Sequence, residues 1–172
     1  MGSLRKPVMF SRTIVSKNPE TTISLGRLVG QQLQPGDVVL LFGDLGTGKT
    51  TFAKGLAQGL GVSSVVFSPS FTLVNQLRGR TTLYHVDLYR LSTPEDLETI
   101  GIEECLESEA VTVIEWPELA RDLYPPERLE VYLSLSPTDE ETRLITLKPF
   151  GERMTKLVAE IENAGAGFRN LG

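Results

Sequence analysis

Cysteine and histidine are almost absent from this chain of 172 residues, which contains one of each, Cys105 and His85. A single cysteine excludes a disulfide bond within the chain. One cysteine with one histidine also excludes a zinc site built from these residue types. Two glutamates precede Cys105, and acidic neighbours raise the pKa of a thiol. We therefore expect Cys105 to be a packing residue rather than a nucleophile.

Basic clusters and long apolar runs are missing as well. The net charge is −5, and basic residues form no run longer than a pair such as Arg78 with Arg80, whereas proteins that bind nucleic acids unaided usually carry a basic patch. Strong direct binding of DNA or RNA is therefore disfavoured. The sequence shows no apolar segment of membrane-spanning length and no signal-peptide core, so we expect a cytoplasmic protein that does not enter a membrane.

The remaining composition is that of an ordinary globular protein, with 40% hydrophobic and 23% charged residues. A chain of this length can bury a substantial core as one unit. We predict a single domain over residues 1–172, in which residues from about 1 to 12 and from about 164 to 172 are flexible.

Hydrophobic periodicity predicts helices and strands in alternation. Asn18 and Pro19 have the residue types that begin a helix, and the apolar run at 38–42 is typical of a strand buried on both faces. Strands joined by helices imply a parallel sheet core, and two pairs of alternating segments predict antiparallel hairpins. The predicted helices begin near 19, 48 and 94 and cover 152–163; the predicted strands cover 38–42, 65–67, 72–77, 81–88, 111–116, 129–135 and 142–148.

Residues 43–50 form the most informative motif. Their sequence, GDLGTGKT, matches G-x-x-x-x-G-K-[ST] and lies between the buried strand and an amphipathic helix. Glycines let the backbone approach phosphate oxygens, whose negative charge is favoured at the start of a helix. Lys49 supplies a positive charge to the β- and γ-phosphates, and Thr50 offers a hydroxyl to Mg²⁺. The predicted nucleotide contacts are Gly43, Leu45, Gly46, Thr47, Gly48, Lys49, Thr50 and Thr51.

This motif and the predicted elements together indicate the fold class. We predict an α/β protein, a three-layer sandwich of the P-loop NTPase class, whose mixed sheet has a parallel core and added antiparallel hairpins.

Two carboxylates at strand ends are candidates for completing the site, because a P-loop enzyme needs an acid to orient Mg²⁺ and its waters. Glu115 follows the apolar stretch VTVI, and Asp87 follows LYHV. The pattern favours a functional role for Glu115, whereas for Asp87 it leaves a functional role and an exposed strand-end acid equally open. His85 shares a strand face with Asp87, so it either meets the γ-phosphate and its water or forms a structural hydrogen bond.

Two further features each allow two interpretations. Trp116, the only tryptophan, is more consistent with packing than with stacking on a base. Residues 67–72, FSPSFT, combine a proline bend with three hydroxyls, and they form either a plain loop or a segment that orders around a γ-phosphate.

In their order, these motifs resemble the TsaE (YjeE) family of small bacterial P-loop ATPases. The similar blocks are GDLGTGKTTFAKGLAQGLG at 43–61, SPSFTLV at 68–74, YHVDLYRL at 84–91, GIEE at 101–104 and VIEWPE at 113–118. The P-loop alone is generic, whereas H-x-D-x-Y-R followed by E-W-P is specific. Ser70 stands where the family more often has threonine, and the chain beyond about 150 matches no motif of the family.

The resemblance implies an ATPase, with ATP and Mg²⁺ as cofactors, that is required for the threonylcarbamoyladenosine modification of tRNA. It implies that the protein acts through a complex of TsaD and TsaB and meets tRNA only through that complex. ATP hydrolysis is then weak in the isolated protein, and it resets the complex between turnovers.

The resemblance also assigns roles by position. It places Lys49, Asp87 and Glu115 in catalysis, and Thr50 and Glu115 at Mg²⁺. It makes the segment from Ser68 to Thr72 similar to a first nucleotide switch, and it suggests that residues 13–22 edge the adenine. The signature residues without a defined role are His85, Tyr89, Arg90 and Trp116.

Two other functions remain open at this point. A small-molecule P-loop kinase would transfer phosphate to an acceptor and usually carries an arginine-bearing lid, which the sequence does not show between the helix at 94 and the strand at 111. A GTP-dependent regulatory switch would carry an N-K-x-D element that reads guanine, and the sequence has none. Nucleotide preference and a search for a phosphorylated acceptor discriminate among the three.

Overall fold

The structure is a computed structural model that describes residues 10–63, 73–165 and 169–170. The strand predicted at 65–67 and the predicted site residues Ser68 and Thr72 lie outside these ranges. The helices are α1 (Pro19–Gln32), α2 (Lys49–Gly59), α3 (Pro94–Ile100), α4 (Ile102–Glu107) and α5 (Glu152–Ala164), with a kinked 3₁₀ segment at Pro117–Leu123. The strands are β1 (Arg12–Ser16), β2 (Val38–Phe42), β3 (Val74–Arg78), β4 (Thr82–Asp87), β5 (Val111–Glu115), β6 (Arg128–Ser136), β7 (Asp139–Phe150) and β8 (Arg169–Asn170).

The described strands form one mixed sheet in the order β3-β4-β5-β2-β6-β7-β1-β8. Strands β4, β5, β2 and β6 run parallel to one another, and the remaining pairs are antiparallel, including the predicted hairpins β3–β4 and β6–β7. Helices α1, α2 and α5 cover one face, while α3, α4 and the 3₁₀ segment pack on the other. The predicted α/β sandwich with a parallel core and antiparallel hairpins is confirmed. None of the described helices is long and apolar enough to cross a membrane.

Local chemistry explains where the helices begin. The side-chain oxygen of Asn18 accepts a hydrogen bond of 2.8 Å from the backbone N–H of Thr21, and Pro19 occupies the first turn of α1. Thr93 and Asp96 form a capping box at the start of α3. The predicted helix starts near 19 and 94 are therefore confirmed.

Helices α1 and α2 pack with their backbones in close approach because glycine lines their contact. A methyl group added at Gly30 would lie 2.1 Å from the carbonyl oxygen of Leu56, and one added at Gly55 would lie 2.1 Å from that of Ile23. Any side chain at these positions would force the two helices apart. The close packing of the two helices therefore fixes the start of α1 relative to the start of α2.

Arg80, in the turn between β3 and β4, ties the same two helices at their C-terminal ends. Its guanidinium donates to the carbonyl oxygens of Gly30 at 2.8 Å, Leu33 at 2.5 Å and Gly59 at 2.8 Å. A positive charge is favoured at a helix C-terminus, where carbonyl groups lack partners within the helix.

The ends of the chain differ from the prediction. Strand β1 was not predicted, and β8 falls in a stretch that was predicted to be flexible. Both are short and are defined by antiparallel pairing, β1 with β7 and β8 with β1, and such distant pairing leaves no local pattern in the sequence. The single helix expected from 94 forms two, because Gly101 between them adopts a left-handed conformation with a φ of 72°.

Candidate nucleotide-binding site

The predicted phosphate-binding loop connects the end of β2 to the start of α2. Gly46 and Gly48 have φ values of 79° and 102°, which residues with side chains rarely adopt. The loop thus turns directly into the N-terminus of α2, whose unpaired N–H groups favour an anion. Leu45 at the tip of the loop is 66% exposed, whereas Thr47 is buried and its hydroxyl donates to the carbonyl oxygen of Asp44 at 2.8 Å.

Lys49 lies folded back onto this loop. Its Nζ donates to the carbonyl oxygens of Gly43 and Asp44, the latter at 2.9 Å, and lies 3.9 Å from the centroid of the Trp116 ring. Burial lowers the pKa of Lys49, and nearby carboxylates, Glu115 foremost, oppose that change. A bound phosphate would offer the ammonium group a full negative charge in place of two carbonyl dipoles.

Glu115 ends β5 as a buried carboxylate, and each of its oxygens has a hydrogen-bond partner. Oε1 accepts from the hydroxyl of Thr50 at 3.1 Å, and Oε2 lies 2.5 Å from Nε2 of His85. A carboxylate in its ionised form can only accept, so Nε2 is the donor of this hydrogen bond whenever Glu115 is ionised. The structure therefore brings Thr50 and Glu115 together, and it turns His85 toward Glu115 rather than into the open cavity.

The mouth of the site is formed by the residues that follow β4 and β5. Asp87 lies beside Glu115 in the sheet register, and its Oδ1 accepts from the backbone N–H of Tyr89 at 3.0 Å. The Tyr89 ring is 4.9 Å from that of Trp116. Trp116 has φ 56° and ψ 55°, a left-handed conformation that is unusual for a bulky residue and is often found at functional sites. Arg90, in the same signature, does not line the cavity.

A cavity of about 350 Å³ joins these elements, which is within the range of small-molecule sites. The residues predicted for phosphate, Mg²⁺ and catalysis all line it, and this part is called the phosphate end below: Lys49, Thr50, Asp87 and Glu115. The lining also includes Asn18, Pro19 and Thr22 at the start of α1, Glu141 and Arg143 of β7, and Gly46, Gly48 and Thr51.

Glu141 and Arg143 were not predicted as site residues. The β6–β7 turn lies at the same edge of the sheet as the phosphate-binding loop, because β6 is parallel to β2. Arg143 Nη2 donates to the carbonyl oxygen of Gly46 at 3.2 Å. The alternating pattern of residues 129–148 predicts the hairpin, but it gives no sign that the hairpin ends beside residue 46.

The donors at the phosphate end fit a Mg²⁺ ion that arrives with a nucleotide. In the ranges 10–63, 73–165 and 169–170, no group of three or more His, Cys, Asp or Glu side chains could hold a metal ion. Mg²⁺ in nucleotide sites needs fewer protein ligands, since water and phosphate oxygens fill most of its coordination positions. A hydroxyl and a carboxylate oxygen 3.1 Å apart, from Thr50 and Glu115, meet that smaller requirement.

Comparison with known proteins gives consistent matches. Residues 16–145 match the sequence model of the family described as "Threonylcarbamoyl adenosine biosynthesis protein TsaE". The tRNA threonylcarbamoyladenosine biosynthesis protein TsaE of Bacillus subtilis (strain 168) is 39% identical over 145 residues, which cover 84% of this chain and 89% of that protein. The protein of the same name from Treponema pallidum (strain Nichols) is 44% identical over 133 residues, covering 77% and 97%. The fold is similar to that in the crystal structure of Bacillus subtilus YdiB, with a TM-score of 0.79, 32% identity, and coverage of 92% of this chain and 99% of that one.

Proposed function

The chain belongs to the TsaE family of tRNA threonylcarbamoyladenosine biosynthesis proteins, and on this basis we propose that it binds ATP with Mg²⁺ and hydrolyses the ATP in support of that modification. The observation that carries the proposal is the convergence of Lys49, Thr50 and Glu115 on one end of a single cavity. A lysine, a hydroxyl and a carboxylate in this order are the groups that a P-loop uses for the β- and γ-phosphates and Mg²⁺.

Each residue at the phosphate end has a role that follows from its position. Lys49 leaves the carbonyl oxygens of Gly43 and Asp44 and neutralises the β- and γ-phosphates. Thr50 and Glu115 hold Mg²⁺, which, when bound, draws charge from the phosphate oxygens. Asp87, at the end of the neighbouring strand, orients the attacking water, because it is the second carboxylate that the cavity exposes beside Glu115.

The opposite end of the cavity holds the adenosine. Because Lys49 and Thr50 mark the γ-phosphate end of the loop, the sugar and base extend toward the start of α1 and the β7 residues Glu141 and Arg143. This placement supports the suggestion that residues 13–22 edge the adenine, and it adds β7 to the same wall.

We further propose that the protein acts through a complex of TsaD and TsaB and meets tRNA only through that complex. The net charge of −5 supports this, since direct binding to the phosphate backbone would need a basic surface. A cytoplasmic location stays a prediction.

Purified protein, assayed for Mg²⁺-dependent hydrolysis of ATP and GTP with and without TsaD–TsaB, tests the proposal. We expect slow hydrolysis of ATP by the protein alone and faster hydrolysis with the partners. Lys49→Ala should lose nucleotide binding, whereas Lys54→Ala, an exposed lysine on the same helix, should not. Asp87→Ala should bind ATP and fail to hydrolyse it.

Three results would contradict the proposal, and the first two would each indicate an alternative function. Transfer of phosphate to a small-molecule acceptor would indicate a kinase. Binding of GTP in preference to ATP would indicate a GTP-dependent switch. ATP hydrolysis that is unaffected by Asp87→Ala would show that Asp87 has no catalytic role.

A further inference from the structure

Three side chains form a continuous hydrogen-bonded chain beneath the phosphate end of the cavity. The order is His85 Nε2, then the two carboxylate oxygens of Glu115, then the hydroxyl of Thr50, with distances of 2.5 and 3.1 Å. The side chains of His85 and Glu115 are only 6% and 4% exposed. The imidazole therefore contacts the carboxylate from the protein interior, while Thr50 contacts it from the side of the cavity.

The sheet register places His85 behind the strand end at which Asp87 and Glu115 lie. His85 pairs with Val113 and Asp87 pairs with Glu115, so His85 lies two residues back from the strand end, or about 6.6 Å along the strand. It does not line the cavity, whereas Glu115 and Asp87 do. The contact that joins His85 to the site is its hydrogen bond to Glu115.

A buried carboxylate needs partners, because leaving a charge without hydrogen bonds in the interior costs several kcal/mol. With one partner on each oxygen, the Glu115 carboxylate has a single favourable orientation. If His85 were apolar, Oε2 would lose its interior partner and the carboxylate would be free to turn away from Thr50. Partners of this kind, behind a metal ligand, commonly set the affinity of the site for its ion.

We propose that His85 is a positioning residue that holds Oε2 of Glu115, so that Oε1 stays directed at Thr50 and at the Mg²⁺ of a bound nucleotide. The inference rests on the proposed function, since it concerns the same nucleotide site. His85 thus acts on Mg²⁺ through Glu115, and it has no part in binding the phosphates themselves.

The test measures binding of ADP in a Mg²⁺ titration and in EDTA, so that no turnover is required. For His85→Leu, we expect the Mg²⁺ concentration that gives half of the full change in ADP affinity to rise about tenfold or more. The affinity for ADP in EDTA should change less than about twofold. His85→Gln, whose side-chain amide can take the place of Nε2, should restore most of the Mg²⁺ response. His85→Asn, whose amide is too short to reach Oε2, should behave like the leucine variant and replaces it if that variant does not fold.

A double-mutant cycle with Glu115→Gln shows whether His85 acts through the carboxylate. In the Glu115→Gln background, loss of the His85 side chain should change the Mg²⁺ response less than about twofold. Val86→Ala is the control for lost packing, because Val86 is a buried neighbour on the opposite face of β4. It should lower stability and leave the Mg²⁺ response unchanged.

The outcomes separate the inference from the function on which it rests. A His85→Leu or His85→Asn protein with the wild-type Mg²⁺ response, an equal loss of ADP affinity in EDTA, or additive effects in the cycle would each overturn the inference alone. If wild-type protein bound ADP with no dependence on Mg²⁺, the proposed function would be overturned, and the inference with it.

Discussion

Lys49 has an environment that a bound nucleotide would change. Its ammonium group lies against carbonyl oxygens and the Trp116 ring, and burial lowers its pKa. A triphosphate would raise the pKa again, because an adjacent negative charge stabilises the protonated form. The protonation of this one group is therefore coupled to binding.

We predict that ATP binding takes up protons at alkaline pH. At a pH between the lowered pKa of Lys49 in the free protein and its raised pKa in the complex, Lys49 is neutral before binding and charged after it. ATP affinity should therefore fall as the pH rises through this window and be constant below it. Calorimetry in two buffers of different ionisation enthalpy measures the uptake directly. Lys49→Arg, which stays charged throughout, should show no uptake from this position; equal uptake by both proteins would contradict the prediction.

The Arg80 side chain contributes to the stability of the fold. It holds the C-terminal carbonyl groups of α1 and α2 at once. We predict that Arg80→Met lowers the free energy of unfolding by about 0.6–2 kcal/mol, because a cation at a helix C-terminus contributes about 0.3–1 kcal/mol and two helices are involved.

Urea denaturation of Arg80→Met and Arg78→Met, compared with wild type, checks this value. Arg78 lies at the end of β3 in the same turn and is also exposed, so its replacement removes an equal charge. A loss of the same size in both variants would show that net charge, rather than the helix contact, is responsible.

The helices meet through glycine, and this contact determines how the site is assembled. Gly26 and Gly30 on α1 and Gly55 and Gly59 on α2 all lie within a methyl group's reach of the opposite backbone. Helix α1 contributes Asn18 to the part of the cavity that we propose for adenosine, and α2 begins at Lys49. The distance between the two ends of the site therefore depends on how closely these helices pack.

We predict that Gly30→Ala lowers the free energy of unfolding by about 1–3 kcal/mol, the usual cost of overpacking, although alanine by itself favours a helix by about 1 kcal/mol. The added methyl group would meet the carbonyl oxygen of Leu56, so α1 must move away from α2. Gln31→Ala, at the exposed neighbouring position, should be neutral or slightly stabilising. A Gly30→Ala protein as stable as wild type would show that the helices can separate at no cost.

Sequence patterns predicted the elements whose signals are local. The GDLGTGKT loop, the Asn18 and Thr93 helix starts and both hairpins depend on residues that are close in the chain. Contacts between residues that are far apart in the chain could not be predicted. Arg143 reaches Gly46 across 97 residues, and His85 meets Glu115 across 30. The sequence left His85 with two equally open roles, and the side-chain hydrogen bond in the folded structure shows its contact with the carboxylate.

Across the described part of the chain, the three most exposed large apolar side chains lie at two places on the edge of the sheet that holds the cavity. Leu45 and Tyr89, which are 66% and 53% exposed, lie at the mouth of the cavity. Leu135, which is 47% exposed, lies near the end of the β6–β7 hairpin. Exposed apolar patches commonly mark interaction sites, and tyrosine is one of the residue types that contribute most to binding at protein interfaces.

We predict that the TsaD–TsaB complex contacts the cavity mouth rather than the hairpin. An interface there would let partner binding depend on whether the cavity holds ATP, because Tyr89 packs on Trp116, and Trp116 in turn covers Lys49. Tyr89→Ser should weaken partner binding about tenfold or more, as loss of an aromatic interface residue commonly does. Leu135→Ser, which removes a comparable apolar surface from the hairpin, should change it less than about twofold. Binding measured by calorimetry with ATP and with ADP distinguishes the two sites, and a loss in Leu135→Ser with none in Tyr89→Ser would place the partner on the hairpin.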